Sequence, residues 1–198
     1  MSLPVYELRI NPEATDETEV DYVALVDIPA IQRDFVAFNN QRPVKFQIES
    51  EEKRIVSGPA MIPDMLIYRN NEQFGEHYVK FPASEIKNAA IKFFKKGYTT
   101  NVNQMHSPEL RMDDVVIFES FISDPERGIA PMKGFEDLPA GTWFVSMYVE
   151  NDEAWQRVKS GDFRGFSVEG LFEYGEPKQT PEQLLAAIAS MLNVPINH

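Results

Sequence analysis

The stretch best suited to chemistry in this 198-residue chain is Gly165-Phe166-Ser167-Val168-Glu169-Gly170-Leu171-Phe172. Side chains alternate across a strand, so Phe166, Val168 and Phe172 share one face, the expected core side. Ser167 then points the other way, with Glu169 beside it. Gly165 and Gly170 remove side chains around the serine, which lets a substrate backbone approach closely. A hydroxyl nucleophile needs a base to take its proton. The best-placed base is His106, in Asn101-Val102-Asn103-Gln104-Met105-His106-Ser107-Pro108. There a strand-like run meets a proline, so the ring sits at a strand end, where functional side chains are common. Each pattern also has a plainer reading: a strand with a polar outer face, and a half-buried histidine bonded to a loop carbonyl. His77, inside the strand pattern Glu76-His77-Tyr78-Val79-Lys80, reads as structural, and His198, the last residue, as frayed. Acids that could orient an imidazole are abundant (Asp21, Asp27, Glu119, Glu169, Glu173), so the presence of one proves little.

Composition narrows the alternatives. The chain has no Cys, which excludes disulfides, thiolate metal sites and Cys nucleophiles, and only three His, too few for most zinc sites. Gly-rich phosphate loops, HExxH and EF-hand spacings are missing, so neither metal nor organic cofactor is expected. Nineteen basic against 31 acidic residues leave a net charge of −12, which repels phosphate backbones and argues against nucleic acid as a partner. The N-terminus lacks the basic start and apolar run of a signal peptide, and no apolar stretch approaches a membrane span. The cytoplasm is therefore the expected compartment, with no membrane partner.

The elements that must position these residues are mostly strands. Strand-like runs lie at 4–10, 20–27, 44–49, 54–62, 65–69, 76–81, 99–105, 114–122, 141–149 and 163–173. A polar linker at 39–42 separates the opening unit. Helix 84–96, with Ser84 as the expected N-cap, carries the stripe Ile86, Ala89, Ala90, Phe93, Phe94 and ends at Gly97. A short helix follows Asn151 or Asp152, buries Trp155 and Val158, and stops at Gly161. After a polar connector at 175–179, expected to be flexible, Thr180-Pro181-Glu182-Gln183 opens a last amphipathic helix, 180–192. Its stripe of Leu184, Leu185, Ile188, Met191 and Leu192 packs on its own domain or serves self-association. The count favours an α+β domain over 1–178, mostly antiparallel and closed or partly closed into a β-barrel with flanking helices, followed by the helix in 179–198.

Five pieces, in order over residues 99–173, resemble the phage prohead (capsid maturation) proteases, most closely the XkdF-like branch. They are Asn103-Gln104-Met105-His106-Ser107, Val116-Ile117-Phe118-Glu119-Ser120-Phe121-Ile122, Gly141-Thr142-Trp143-Phe144-Val145, Val158-Lys159-Ser160-Gly161 and Gly165-Phe166-Ser167-Val168-Glu169-Gly170. Leu3-Pro4-Val5-Tyr6 and Ala24-Leu25-Val26-Asp27-Ile28-Pro29-Ala30-Ile31 also look like that branch. The resemblance implies an assemblin-like barrel, with Ser167 as nucleophile and His106 as base. It implies a serine endopeptidase of head assembly in the host bacterial cytoplasm, inside the prohead. The implied substrates are phage scaffold protein and, in addition, the major capsid protein or the enzyme itself. The third member does not carry over. Its usual strand follows the nucleophile, whereas the look-alike Tyr22-Val23-Ala24-Leu25-Val26-Asp27 precedes His106 and has Tyr22 in the acid's place. This suggests a circular permutation, with 1–40 as the moved closing unit, and leaves Asp27, Glu119 and Asp21 as candidates, with Glu169 behind. The loop 31–34 is the expected source of oxyanion donors. The alternative is a non-catalytic head-assembly or scaffold-binding module with the same fold, or a fragment whose last helix continues into a scaffold region.

Overall fold

The apolar stripe of the first helix decides where the core forms. In the computed structural model, which describes residues 3–11, 18–27, 45–50 and 53–178, α1 (Ala83–Lys95) buries Ile86, Ala89, Ala90 and Phe93. Phe93 meets Trp143 edge-on, with ring centroids 5.6 Å apart. Burying a side chain of this size contributes about 2–3 kcal/mol. The helix begins one residue before the expected cap: Pro82 takes the N-cap position without a side-chain bond, and Ser84 lies in the first turn. The second helix, α2 (Asp152–Ser160), follows its sequence signals closely. Asn151 Oδ1 accepts from Ala154 N at 2.9 Å, and Gly161 ends the helix in the left-handed region that glycine tolerates.

The described strands form three four-stranded sheets, and no closed barrel is found among them. One sheet runs β12-β1-β6-β5, from β1 (Val5–Arg9), β5 (Ile67–Asn71), β6 (Gly75–Lys80) and β12 (Glu173–Lys178). Another runs β3-β4-β10-β9, from β3 (Gln47–Ser50), β4 (Ile55–Met61), β9 (Val115–Ile122) and β10 (Trp143–Val149). The third, β11-β2-β7-β8, carries the site. It is built from β2 (Glu19–Val26), β7 (Val102–Gln104), β8 (Ser107–Arg111) and β11 (Gly165–Leu171). One apolar cluster draws on all three sheets, including Leu8, Val56, Val79, Val102 and Phe166.

Two stretches differ from expectation. The polar segment 175–178 is not a flexible connector: Glu173–Lys178 is β12, antiparallel to β1 with Val5 opposite Lys178. A polar sequence can serve there because β12 is an edge strand, with β1 on one side only. The run 99–105 divides into a 3-10 turn at Tyr98–Thr100 and the short β7, which turns back at once into β8. The expected helix 180–192 and loop 31–34 lie outside the described residues.

Candidate active site

The positions of Ser167 and His106 follow from the order of the third sheet. Strand β2 lies in its middle, antiparallel to β11 and parallel to β7. Ser167 stands opposite Ala24, and Ala24 opposite Asn103. Register partners point to the same face, so Ser167, Ala24 and Asn103 form one row across three strands, with Glu169 on that face two residues along. The other face carries Val23, Leu25, Val102 and Phe166 into the core. Alternation thus holds as read from sequence, but the serine's face is not open to solvent: Ser167 is only 5% exposed. Glycine at 170 is obligatory, because a Cβ there would lie 1.8 Å from the carbonyl oxygen of Glu19.

His106 reaches this row from a tight turn. Gln104 pairs with Ser107, which leaves Met105 and His106 as the two central residues, with φ of 52° and 59°. Positive φ at both centres is the signature of a type I′ hairpin turn, which normally uses Asn-Gly. Non-glycine residues are held there only when the surroundings over-determine them. Two contacts do so: Arg157 of α2 donates to Gln104 Oε1, and the backbone N–H of Asp27 donates to Met105 Sδ at 3.4 Å. Arg157 is itself seated over the Phe163 ring, 4.0 Å from its centroid.

The carboxylate that meets the imidazole belongs to Glu169. Its Oε1 lies 3.1 Å from His106 Nδ1 and accepts a 2.7 Å hydrogen bond from Asn103 Nδ2. The other acids stand elsewhere. Glu119 is exposed on β9, in a different sheet. Asp27 is at the cleft rim just past β2. Asp21 lies on β2, where burial pushes its pKa above the ordinary carboxylate value, its own backbone N–H opposes the rise, and the charge of Glu169 adds to it. Tyr22, in the place where the look-alike strand has its acid, faces Glu169 directly across the β2–β11 ladder. A carboxylate is therefore present at that level of the sheet, contributed by the neighbouring strand. His77 sits fully buried among Tyr6, Phe74 and Tyr174, and its Nδ1 is 2.8 Å from the carbonyl of Gly75.

Ser167, His106, Glu169 and Asp27 line one cleft of about 1270 Å³. Its walls continue over Met61, Ile62, Ile67 and Phe172, and over Tyr68 to Asn70 of β5. Clefts of this kind, apolar with a few convergent polar groups, are the usual form of a substrate site. No hydrogen bond joins Ser167 to His106 among those of the described residues. Among those residues, too, no cluster of His, Asp and Glu is placed to hold a metal ion, and no helix is long and apolar enough to cross a membrane.

A serine, an imidazole and a carboxylate thus line one cleft of a mostly β, α+β protein. Residues 43–176 match the family described as "Putative phage serine protease XkdF", and the chain belongs to that family. Two Bacillus subtilis proteins are similar to it. The uncharacterized protein YqbD is 25% identical over 177 residues, covering 86% of this chain and 50% of YqbD. The phage-like element PBSX protein XkdF is 26% identical over 166 residues, covering 80% of this chain and 54% of XkdF. The chain thus spans about half the length of the curated relatives it matches. No solved structure matches it.

Proposed function

We propose that the chain is a serine endopeptidase of phage head assembly, cleaving scaffold protein and, in addition, capsid protein or itself within the prohead. Ser167 Oγ attacks the scissile carbonyl. His106 Nε2 takes the hydroxyl proton and returns it to the leaving amine, and Glu169 accepts from Nδ1–H and so fixes the tautomer. The observation that carries this reading is the approach of Glu169 Oε1 to His106 Nδ1, within 3.1 Å, in the cleft that Ser167 also lines. Uncomplexed sites are looser than the reacting complex, in which catalytic hydrogen bonds tighten. In this reading Glu169 takes the third place, ahead of Asp27, Glu119 and Asp21, and β2 stands as the permuted closing strand.

The missing Ser167–His106 hydrogen bond favours the second reading, a non-catalytic head-assembly module. Two measurements separate the readings. A fluorophosphonate, which captures an activated serine with loss of fluoride, labels Ser167 in the wild type and nothing in Ser167→Ala. Co-expressed scaffold protein is processed by the wild type alone. Absence of labelling and of processing in the folded wild type overturns the protease reading in favour of the module.

A further inference from the structure

We infer that Asn103 is a positioning residue for Glu169, holding the carboxylate where it sets the tautomer of His106. This rests on the reading of Glu169 and His106 given above. Asn103 is fully buried on β7, two strands from Ser167 with only the methyl group of Ala24 between them in the row. Its Nδ2 donates at 2.7 Å to Oε1 of Glu169, the same oxygen that stands 3.1 Å from His106 Nδ1. One carboxylate oxygen is thereby held between an amide and an imidazole.

The opposite end of the amide shows what the side chain is for. Asn103 Oδ1 is buried and has no hydrogen-bond partner among the described residues. Turning the amide over would set Oδ1 against the carboxylate oxygen, so the repulsion fixes its orientation. Leucine, of similar volume, would fill the position without burying an unpaired acceptor. An amide that leaves one polar atom unsatisfied is accounted for by what the other does, which is to hold Glu169.

Neighbouring acids give such a tether a use. Asp21, on β2, interacts repulsively with Glu169. Asp27, at the end of β2, lies at the rim of the same cleft. Among the described residues, the cation of that cleft is Arg69 on β5, which donates to the carbonyl of Tyr68, while Arg157 of α2 donates to Gln104. Held by Asn103, Oε1 presents its remaining lone pair to Nδ1–H, which leaves the Nε2 lone pair free to act as base.

The test reads the tautomer directly and does not depend on a substrate. In the full chain at a pH of about 8.5, where imidazoles are neutral, the 15N shifts of His106 report which ring nitrogen carries the proton. The wild type holds Nδ1–H. Glu169→Gln, Asn103→Leu and Asn103→Ala revert to Nε2–H, the tautomer that free histidine favours. The alanine variant keeps the comparison valid should leucine disturb folding, which amide dispersion reveals. Fluorophosphonate labelling of Ser167 slows in the Asn103 variants by about tenfold or more. Retention of Nδ1–H in the folded Asn103 variants, with its loss in Glu169→Gln, overturns the inference and leaves the protease reading standing. Retention in Glu169→Gln as well removes Glu169 from its role and the inference with it. The expected tautomers in a chain whose Ser167 never labels support the positioning role and count against the nucleophile alone.

Discussion

Glu169→Gln is the most informative single perturbation, because it keeps shape and removes charge. In the proposed mechanism, the imidazolium formed as Ser167 gives up its proton lies 3.1 Å from Glu169 Oε1. An ion pair at that separation is worth about 1.3 kcal/mol in bulk water and about 5 kcal/mol at an effective dielectric of about 20. His106 is 39% exposed and Glu169 20%, so the site lies between these limits. A loss of about 2–4 kcal/mol in transition-state stabilisation follows, equivalent to a rate lower by roughly 30- to 900-fold. The assay is the second-order rate of fluorophosphonate capture at Ser167, read by intact mass, with His106→Ala as the fully disabled reference. Labelling of Glu169→Gln at the wild-type rate, with His106→Ala inert, would refute the reasoning and reopen the third position to Asp27, which lines the same cleft.

Met105→Asn replaces a residue at φ 52° with one that tolerates that region, and raises stability by about 0.5–1 kcal/mol in urea melts. A lower midpoint would show that the Met105 Sδ contact outweighs the backbone relief. Gly170→Ala drives a Cβ into the carbonyl oxygen of Glu19 and costs about 2–3 kcal/mol, again by urea melts, with labelling of Ser167 reduced because Glu169 is displaced; an unchanged midpoint would contradict the close approach. Asp64 Oδ1, 2.6 Å from Lys80 Nζ, is the main reason that the pKa of Lys80 is raised, with Glu7 adding to it. A raised lysine stabilises the fold fully below the ordinary value of 10.5 and loses that contribution as pH climbs through the higher one. Asp64→Asn therefore lowers stability at pH 7 by less than about 1 kcal/mol, since Asp64 is largely exposed, and the difference closes in strongly alkaline urea melts. A gap that widened with pH would reverse the sign of the argument.

Helices α1 and α2 were legible because their signals are local. The stripe from Ile86 to Phe93 and the Asn151 cap need only neighbouring residues. The row of Ser167, Ala24 and Asn103 depends on register between strands far apart in sequence, which alternation alone does not encode. That is why Glu169 ranked behind Asp27, Glu119 and Asp21: nothing in the string says that Tyr22 faces residue 169. Alternation did place Glu169 on the serine's side. The tight turn at Met105 and His106 was not foreseen, because a turn without glycine gives no sequence warning. Strand β12 was missed because Gly175, Glu176 and Pro177 are poor strand formers, and pairing with β1 overrides them.

The central position of β2 also fixes when the site can come into being. Ala24 and Ser167 are about 140 positions apart in the chain, and contacts that distant are slow to form. During synthesis β2 emerges early, with Val23, Leu25 and Val26 apolar and both edges unpaired until β7 and then β11 arrive. A nascent chain already holding His106 still lacks Ser167, Glu169 and the strand that carries them. The row of Asn103, Ala24 and Ser167 is thus completed only when β11, the last strand of its sheet in chain order, joins β2.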